Sequence, residues 1–471
     1  MVFASLTFLL FFLPIVIGSY YLVSPRWRNH LLLVFCLVFY VWGGGLRDLV
    51  ILLVVATTDF FVARKISTSR TPQRWLLGGL IWNLGILCFF KYAGFWLSII
   101  QGISPGPIVE GLVQQVSSIA LPLGISFFIF ETISYLVDVR RGATRPAKRW
   151  IDYAMYLSFF PHLIAGPIYR YSEIVPDLDA TRRDYRFKMV RQGLFLFSLG
   201  LAKKCLIANP LAQLADKVFA LPKPSVIEAW SGALCYSFQI YFDFSGYSTM
   251  AIGLGLLLGF HLPQNFNQPY TATSVTDFWR RWHITLSRWF RDYLYIPLGG
   301  NRVAPWRTYL NLAVVFLLCG LWHGASVTFL LWGAYHGGLL IFERIFSGHT
   351  PKLAVAAPLR RAMTFVLILF GWVLFRASSF HQTILFWGAL CGASTSSTTD
   401  SFLVLLFEDF RLTGSVALAS LALLRWDAAW TLIVDADRYP FTKLFVSIGL
   451  LALCLLELAA GTFNPFIYYR F

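Results

Sequence analysis

The sequence predicts an all-α polytopic membrane protein, and three observations support this fold class. Of its 471 residues, 57% are hydrophobic and 13% are charged, with a mean hydropathy of +0.64, whereas about 25% of residues are charged in a soluble domain. Apolar runs of about 20 residues, long enough to cross a bilayer, recur along the chain. Basic residues lie in the short loops between them, as in cytoplasmic membrane loops. We predict about 11 transmembrane helices in a single domain, residues 1–471, because no polar stretch could form a second domain.

Net charge and cysteine spacing exclude two other classes of protein. A net charge of +16 is compatible with nucleic-acid binding. However, the Arg and Lys residues are spread over short loops between apolar runs, which favours membrane loops. The seven cysteines form no C-x-x-C pair, and we interpret them as small hydrophobic side chains. We therefore expect no nucleic acid, no metal and no bound cofactor.

The N-terminal part of the chain begins with a series of apolar runs. Val2–Val23 lacks the basic n-region and the cleavage site of a signal peptide, so we predict a retained first span. The charge of the basic segment Ala63–Arg74 places it in the cytoplasm. Further predicted spans are Leu31–Trp42, Leu49–Val62, Trp75–Phe90 and Ile119–Val137.

The segment Ile151–Ile168 does not have the pattern of a simple span. Basic stretches flank it on both sides, and Pro161-His162 and Gly166-Pro167 interrupt its apolar sequence. Broken backbone at membrane depth is tolerated where it is buried in protein or lines a cavity. We predict a hairpin or re-entrant segment in which His162 faces a cavity, with a structural hydrogen bond as the alternative role.

Asp243 lies within the long apolar run Ala229–Gly259. A carboxylate in such surroundings is costly unless it is paired. We interpret Asp243 as structural support and expect its partner to be an arginine of the segment Thr276–Asn301. Later predicted spans include Leu310–Trp322 and Val327–Phe342.

The segment Thr276–Asn301 concentrates arginines among tryptophans in a chain that is otherwise poor in charge. An S-x-x-D pattern at Ser274 to Asp277 is typical of a helix start. A period of 3.6 residues predicts one continuous helix, with an apolar face formed by Trp279, Trp282, His283, Leu286, Phe290 and Tyr293.

Two histidines, His283 and His323, each follow a tryptophan, Trp282 and Trp322, at the edge of apolar sequence. Imidazole can accept a proton near neutral pH because its ordinary pKa of about 6.5 is easily shifted. A neutral histidine hydrogen-bonded between helices is the alternative. The residues alone leave both roles open.

The motifs around these histidines resemble the signature of the membrane-bound O-acyltransferase (MBOAT) family, and in particular its bacterial branch that serves alginate O-acetylation. The resemblance covers nearly the whole chain. Its motifs are Met1–Phe3, Pro122–Phe127, Phe160–Pro167, Tyr241–Gly253, Asn265–Tyr270, Phe278–Ser287 and Leu321–Ala325. One departure is Thr249, where the alginate proteins are expected to carry Asp, and this weakens the assignment to alginate without affecting the family.

The resemblance implies the fold and the active-site residues. Re-entrant and interfacial helices would join a ring of transmembrane helices around a central tunnel. His323 would be the catalytic general base, and His283 would orient the donor or stabilise the oxyanion. Trp282, Trp322, His162 and Asp243 would support the site. Acetyl-CoA would be the donor, with its phosphates bound by arginines that are also explained as positive-inside anchors, namely Arg280, Arg281, Arg288 and Arg291.

The resemblance also implies a pathway across the bacterial inner membrane. Acetyl would pass from cytoplasmic acetyl-CoA to an extracytoplasmic acetyltransferase or acetylesterase-like partner, which would acetylate an exopolysaccharide, with alginate as the first choice. The C-terminal Phe466–Phe471 resembles an acyl-carrying tail in the related D-alanine-transferring branch. By this analogy Tyr468 is a candidate acyl relay, and an interfacial aromatic anchor is the alternative.

Three other functions remain open. Acetylation of cellulose or peptidoglycan would use the same mechanism. A transporter or flippase of a lipid-linked sugar would also place His, Asp and Arg within the membrane, but it predicts inverted repeats, and we find none in the sequence. A non-catalytic scaffold would not depend on His323.

Overall fold

The chain is helical throughout the part that its computed structural model describes, residues 2–181, 183, 187–346, 356–394, 410–424, 439–461 and 464. No β-strand occurs within these ranges. The predicted all-α class is therefore confirmed. The helices are α1 (Leu13–Leu22), α2 (Arg28–Thr68), α3 (Pro72–Leu87), α4 (Ala93–Ile103), α5 (Pro107–Ser117), α6 (Ile125–Arg141), α7 (Trp150–Ser158), α8 (Tyr171–Leu178), α9 (Phe187–Ala202), α10 (Asn209–Phe219), α11 (Val226–Leu257), α12 (Val275–Arg281), α13 (Ile284–Phe290), α14 (Pro305–His323), α15 (Val327–Phe346), α16 (Ala357–Arg376), α17 (Phe380–Leu390), α18 (Phe410–Ser420) and α19 (Pro440–Ala459).

Four helical segments within the described ranges are long and apolar enough to cross a membrane. Two shorter apolar segments, Phe8–Leu22 and Phe410–Leu423, accompany them. The total of about 11 spans and the central tunnel stay predictions. The four segments are Pro72–Ile103, Phe187–Phe219, Ala357–Arg376 and Pro440–Ala459.

Contacts within the chain define two compact units. The first contains residues 1–193 and 254–263, and the second contains residues 194–253 and 264–471. The single domain over residues 1–471 therefore stays a prediction. Both candidate histidines, His283 and His323, belong to the second unit.

In the first unit, two predicted spans form one kinked helix. The runs Leu31–Trp42 and Leu49–Val62 both lie in α2, and Gly45 bends it with a φ of 80°. This left-handed conformation suits glycine because it has no Cβ. The interrupted segment after α7 contains turns from Phe159 to Gly166 and is fully buried, consistent with the predicted break in Ile151–Ile168.

In the second unit, two glycines allow α14 and α15 to pack closely. A Cβ on Gly320 would lie 2.2 Å from the carbonyl oxygen of Phe329, and one on Gly333 would lie 2.3 Å from that of Phe316. Small residues at such an interface let helix backbones approach each other. This packing fixes the C-terminal end of α14, where His323 lies.

The prediction of one continuous helix over Thr276–Asn301 is wrong. The start is as predicted, since the Ser274 side chain accepts a hydrogen bond from the amide of Asp277 at 3.0 Å. However, α12 ends at Arg281 and α13 begins at Ile284, because His283 has a φ of 43°. The predicted apolar face is buried except for the half-buried Tyr293.

Replacing Gly320 by alanine is expected to separate α14 from α15, because the new methyl group meets backbone rather than a flexible side chain. Overpacking of this kind costs about 1–3 kcal/mol. We expect a lower thermal midpoint of the detergent-solubilised protein. Gly338→Ala on α15 is the control, since its Cβ would meet nothing within 4 Å. Equal midpoints for the two variants would contradict the packing argument.

Candidate active site

The backbone around His283 is held in its left-handed conformation by the preceding extended segment. The amide of Asn267 donates to the carbonyl of Arg281 at 2.9 Å, and the amide of Ile284 donates to the carbonyl of Asn265 at 2.9 Å. A non-glycine residue in this region costs of order 1–3 kcal/mol and persists where its surroundings determine it. Such strain is typical of functional sites.

The His283 side chain is fully buried and contacts one polar side chain. Its Nδ1 lies 3.1 Å from Oδ1 of Asn265. The ring packs edge-on against Phe244 at 4.7 Å between centroids. Burial lowers the pKa of His283 to about 3, so the ring is neutral at physiological pH. Its Nε2 has no hydrogen-bond partner within the described residues.

Trp322 connects the two histidines. Its ring centroid lies 6.0 Å from that of His283 and 4.9 Å from that of His323. His323 is buried and packs edge-on against Trp332 on α15 and Phe375 on α16, at 5.1 and 5.2 Å. Both histidines therefore contact the same indole.

A cavity of about 730 Å³ lies near the two histidines, although neither of them belongs to its lining. Ser287 lines it one helical turn after His283, and Cys319 lines it one turn before His323. Residues four apart lie on the same face of a helix. The volume is within the range typical of small-molecule sites. The cavity is therefore large enough for a small-molecule substrate, and its lining comes within one helical turn of each histidine.

Two of the four predicted phosphate-binding arginines line this cavity. Arg280 is exposed there and has no ion-pair or hydrogen-bond partner within the described ranges, whereas Arg291 pairs with Asp292 at 2.6 Å. Arg344, which the sequence did not suggest, also lines the cavity. Arg281 pairs with Asp277 at 2.8 Å, and neither it nor Arg288 belongs to the lining.

The predicted partner of Asp243 is wrong. Oδ1 of Asp243 lies 2.9 Å from Nζ of Lys204, and both side chains are buried. Lys204 lies in the π-helical segment Lys203–Ala208, which joins α9 to α10 within the apolar segment Phe187–Phe219. The sequence could have suggested Lys204 as the partner of Asp243, since a lysine between two apolar runs also needs an ion-pair partner. This pair supports the structural role predicted for Asp243.

In the first unit, both ring nitrogens of His162 lie close to an oxygen atom. Nε2 lies 3.1 Å from the carbonyl oxygen of Tyr156, and Nδ1 lies 2.9 Å from Oε1 of Glu131. The carbonyl can only accept, so Nε2 carries a proton. The sequence did not suggest Glu131, although it is a lone carboxylate in the apolar helix α6. These contacts favour the structural alternative for His162.

Trp282 packs in an aromatic cluster, 4.8 Å from Trp372 and stacked on Phe278 at 5.6 Å between centroids.

His336 is a buried histidine that the sequence analysis missed. It contacts Trp279 at 5.2 Å and Trp332 at 4.9 Å. Its spacing of four residues from Trp332 could have indicated that the two side chains lie on the same face of a helix. Tyr468 lies outside the described residues.

No group of three or more potential metal ligands occurs in the described part of the chain. The site consists of imidazoles, indoles and one amide, with a cavity bordered by arginines nearby. These groups can bind an anionic substrate and assist proton transfer.

Comparison with known proteins agrees with this chemistry. Residues 107–381 match the model of the membrane-bound O-acyltransferase family, which is more than half of the chain. The chain belongs to this family. It is 39% identical to a Pseudomonas putida protein named "Probable alginate O-acetylase AlgI", with 100% of both chains covered. It is also 39% identical to a Helicobacter pylori "Peptidoglycan O-acetyltransferase", over 80% of this chain and 77% of that protein.

A more distant relative is a Lacticaseibacillus rhamnosus "Teichoic acid D-alanyltransferase", 27% identical over 67% of this chain and 78% of that protein. The predicted family, its all-α membrane fold and the prediction of an O-acetyltransferase enzyme are confirmed. The roles of individual residues stay predictions.

Removing one partner of the Lys204–Asp243 pair is expected to destabilise the protein strongly. Lys204→Met leaves a buried carboxylate without its cation, which typically costs about 3–5 kcal/mol. We expect little folded protein in the membrane. The double variant Lys204→Met/Asp243→Leu removes both charges and is expected to recover most of it, as measured by size-exclusion chromatography in detergent. A double variant as unstable as the single one would contradict the pairing.

Proposed function

We propose that this protein transfers acetyl from acetyl-CoA across the bacterial inner membrane for O-acetylation of an exopolysaccharide, with alginate as the first candidate. The observation that carries the proposal is the pair of buried histidines that contact Trp322, with an arginine-bordered cavity whose lining comes within one helical turn of each. The proposed acetyl transfer needs no bound cofactor, since acetyl-CoA serves as substrate.

The cavity supports acetyl-CoA as the donor. Arg280 provides a cation without a protein partner in the described chain, and guanidinium groups bind phosphate through paired hydrogen bonds. Trp279 forms part of the cavity lining and contacts Trp332, which in turn contacts His323. A thioester extending from Arg280 past Trp279 would therefore approach the histidine pair.

At the histidine pair, His323 would take the proton of the attacking hydroxyl as its oxygen adds to the thioester carbonyl. Collapse of the tetrahedral intermediate would then break the C–S bond, and the CoA thiolate would leave with the proton held by His323. General-base assistance contributes roughly 10²–10⁴-fold to a rate. His283 would orient the donor or stabilise the oxyanion. Burial among aromatic rings keeps water away from the thioester.

Beyond the chain itself, the acetyl group needs a route to the polymer. An extracytoplasmic acetyltransferase or acetylesterase-like partner would receive it, and Tyr468 is a candidate relay. Two relatives support alginate and peptidoglycan equally, since the proteins named for each polymer are both 39% identical in sequence to this chain. The chemistry at the histidines would be the same for either polymer.

His323→Ala is expected to abolish acetylation while leaving the protein in the membrane. The test is the acetyl content of the secreted polysaccharide in a deletion strain complemented with each variant, with membrane levels measured in parallel. We expect a fall of at least about 100-fold. His381→Ala, an exposed histidine of the same unit, is the control. Wild-type acetylation by His323→Ala would refute the proposal, and loss would make Tyr468→Phe the next variant.

Arg280→Ala is expected to raise the KM for acetyl-CoA about tenfold with little change in kcat, because a charge-assisted hydrogen bond contributes about 1.5–3 kcal/mol. Acetyl transfer from radiolabelled acetyl-CoA in isolated membranes measures both constants. S-acetylpantetheine lacks the nucleotide phosphates, so its KM should not change. Arg360→Ala, exposed at the start of α16, is the control. An equal effect on both donors would exclude phosphate binding by Arg280.

A further inference from the structure

The side chain of Asn265 makes several polar contacts around His283. Its Oδ1 lies 3.1 Å from Nδ1 of His283, 3.2 Å from the amide nitrogen of Thr285 and 2.9 Å from Oγ1 of Thr285. Its Nδ2 lies 3.2 Å from Oγ of Ser248 on α11. The side chain is 1% exposed. One amide therefore joins α11 to His283 at the break and to the first turn of α13.

The backbone amide of Thr285 fixes the orientation of the Asn265 side chain. An amide N–H can only donate, so the atom that faces it must be the carbonyl oxygen of Asn265. The Nδ2 group then faces Ser248, whose hydroxyl oxygen can accept. The reverse orientation would place two N–H groups against each other in a buried site, which costs more than a lost hydrogen bond.

The same oxygen determines which nitrogen of His283 carries the proton. Oδ1 of Asn265 can only accept, so Nδ1 of His283 must donate to it. In a neutral imidazole the second nitrogen is then an acceptor. Nε2 is buried and has no partner within the described chain, so its lone pair is available to a substrate.

We propose that Asn265 is a positioning residue that holds His283 in the tautomer whose Nε2 accepts, so that His283 receives a hydrogen bond from an N–H or O–H group of the substrate. This inference rests on the proposed acetyl transfer. It assigns donor orientation to His283 and excludes the oxyanion role, since stabilising an oxyanion requires an N–H at Nε2. Asn265 itself does not touch the substrate.

Asn265→Asp and Asn265→Leu test the proposal in opposite ways. The leucine has a similar size but cannot accept from Nδ1, so either tautomer of His283 becomes accessible. The aspartate keeps an acceptor oxygen, but its negative charge raises the pKa of His283. A protonated aspartic acid would instead donate to Nδ1 and reverse the tautomer. Both effects remove the Nε2 lone pair at low pH and restore it as pH rises.

Two of the charged groups on the elements around His283 are already held in ion pairs. Asp243 is paired with Lys204, and Arg281 is paired with Asp277. A change in the pH profile of an Asn265 variant therefore reports on the histidine pair or on the introduced carboxyl. The groups concerned are Tyr241, Asp243 and Tyr247 on α11, His323 on α14, and Arg281 and Arg288 on the neighbouring turns.

The measurement is transfer of radiolabelled acetyl from acetyl-CoA to polysaccharide in membranes of the complemented deletion strain, from about pH 5 to pH 9. Asn265→Leu is expected to lose about 100-fold in rate at every pH, the lower end of the range for acid–base groups. Asn265→Asp is expected to approach the wild-type rate at high pH and lose it at a higher pH than the wild type does. Asn267→Leu and Asn267→Asp make the same changes at an exposed position two residues away and should match the wild type.

The outcomes separate this inference from the proposed function. Asn265→Asp with the wild-type pH profile, or Asn265→Leu with more than half of the wild-type rate, overturns the inference when His283→Ala is inactive. Wild-type rates for both His283→Ala and His323→Ala overturn the proposed function instead. If one Asn265 variant is absent from the membrane, the other decides, because a purely structural role for Asn265 would not move a pH profile.

Discussion

The hydrogen bond between Asn265 and His283 is the interaction on which the candidate site depends. It holds a buried imidazole at a left-handed backbone position, between two short helices that would otherwise continue as one. Burial prevents water from replacing this bond, and an unpaired polar group in such surroundings costs more than a surface one. The site therefore has one arrangement of its polar atoms, with Nδ1 of His283 hydrogen-bonded and Nε2 without a partner in the described part of the chain.

The same constraint explains the other polar contacts in the apolar interior. Lys204 neutralises Asp243, Glu131 faces His162, and Nδ2 of Asn83 lies 2.9 Å from Oδ1 of Asp59. Charged and polar groups without water must find partners in the protein. The polar atoms of these pairs are occupied by each other, whereas Nε2 of His283 at the candidate site has no partner in the described part of the chain. That difference distinguishes a supporting residue from one that can bind a substrate.

Aromatic packing complements the polar contacts around His323. Trp322, Trp332 and Phe375 enclose its ring edge-on, an arrangement that aromatic quadrupoles favour. The close approach of α14 and α15 at Gly320 places Trp332 against the histidine. Large rigid side chains thereby position the imidazole and exclude water.

The sequence by itself determined the membrane class, the helical fold and the two histidines, because hydropathy, periodicity and local motifs are properties of neighbouring residues. It also predicted the helix start at Ser274, where capping is local. Only the tertiary structure decided the break at His283, the pairing of Asp243 with Lys204 and the tautomer set by Asn265. These features depend on side chains from distant parts of the chain, and a 3.6-residue period cannot show that a partner segment interrupts a helix.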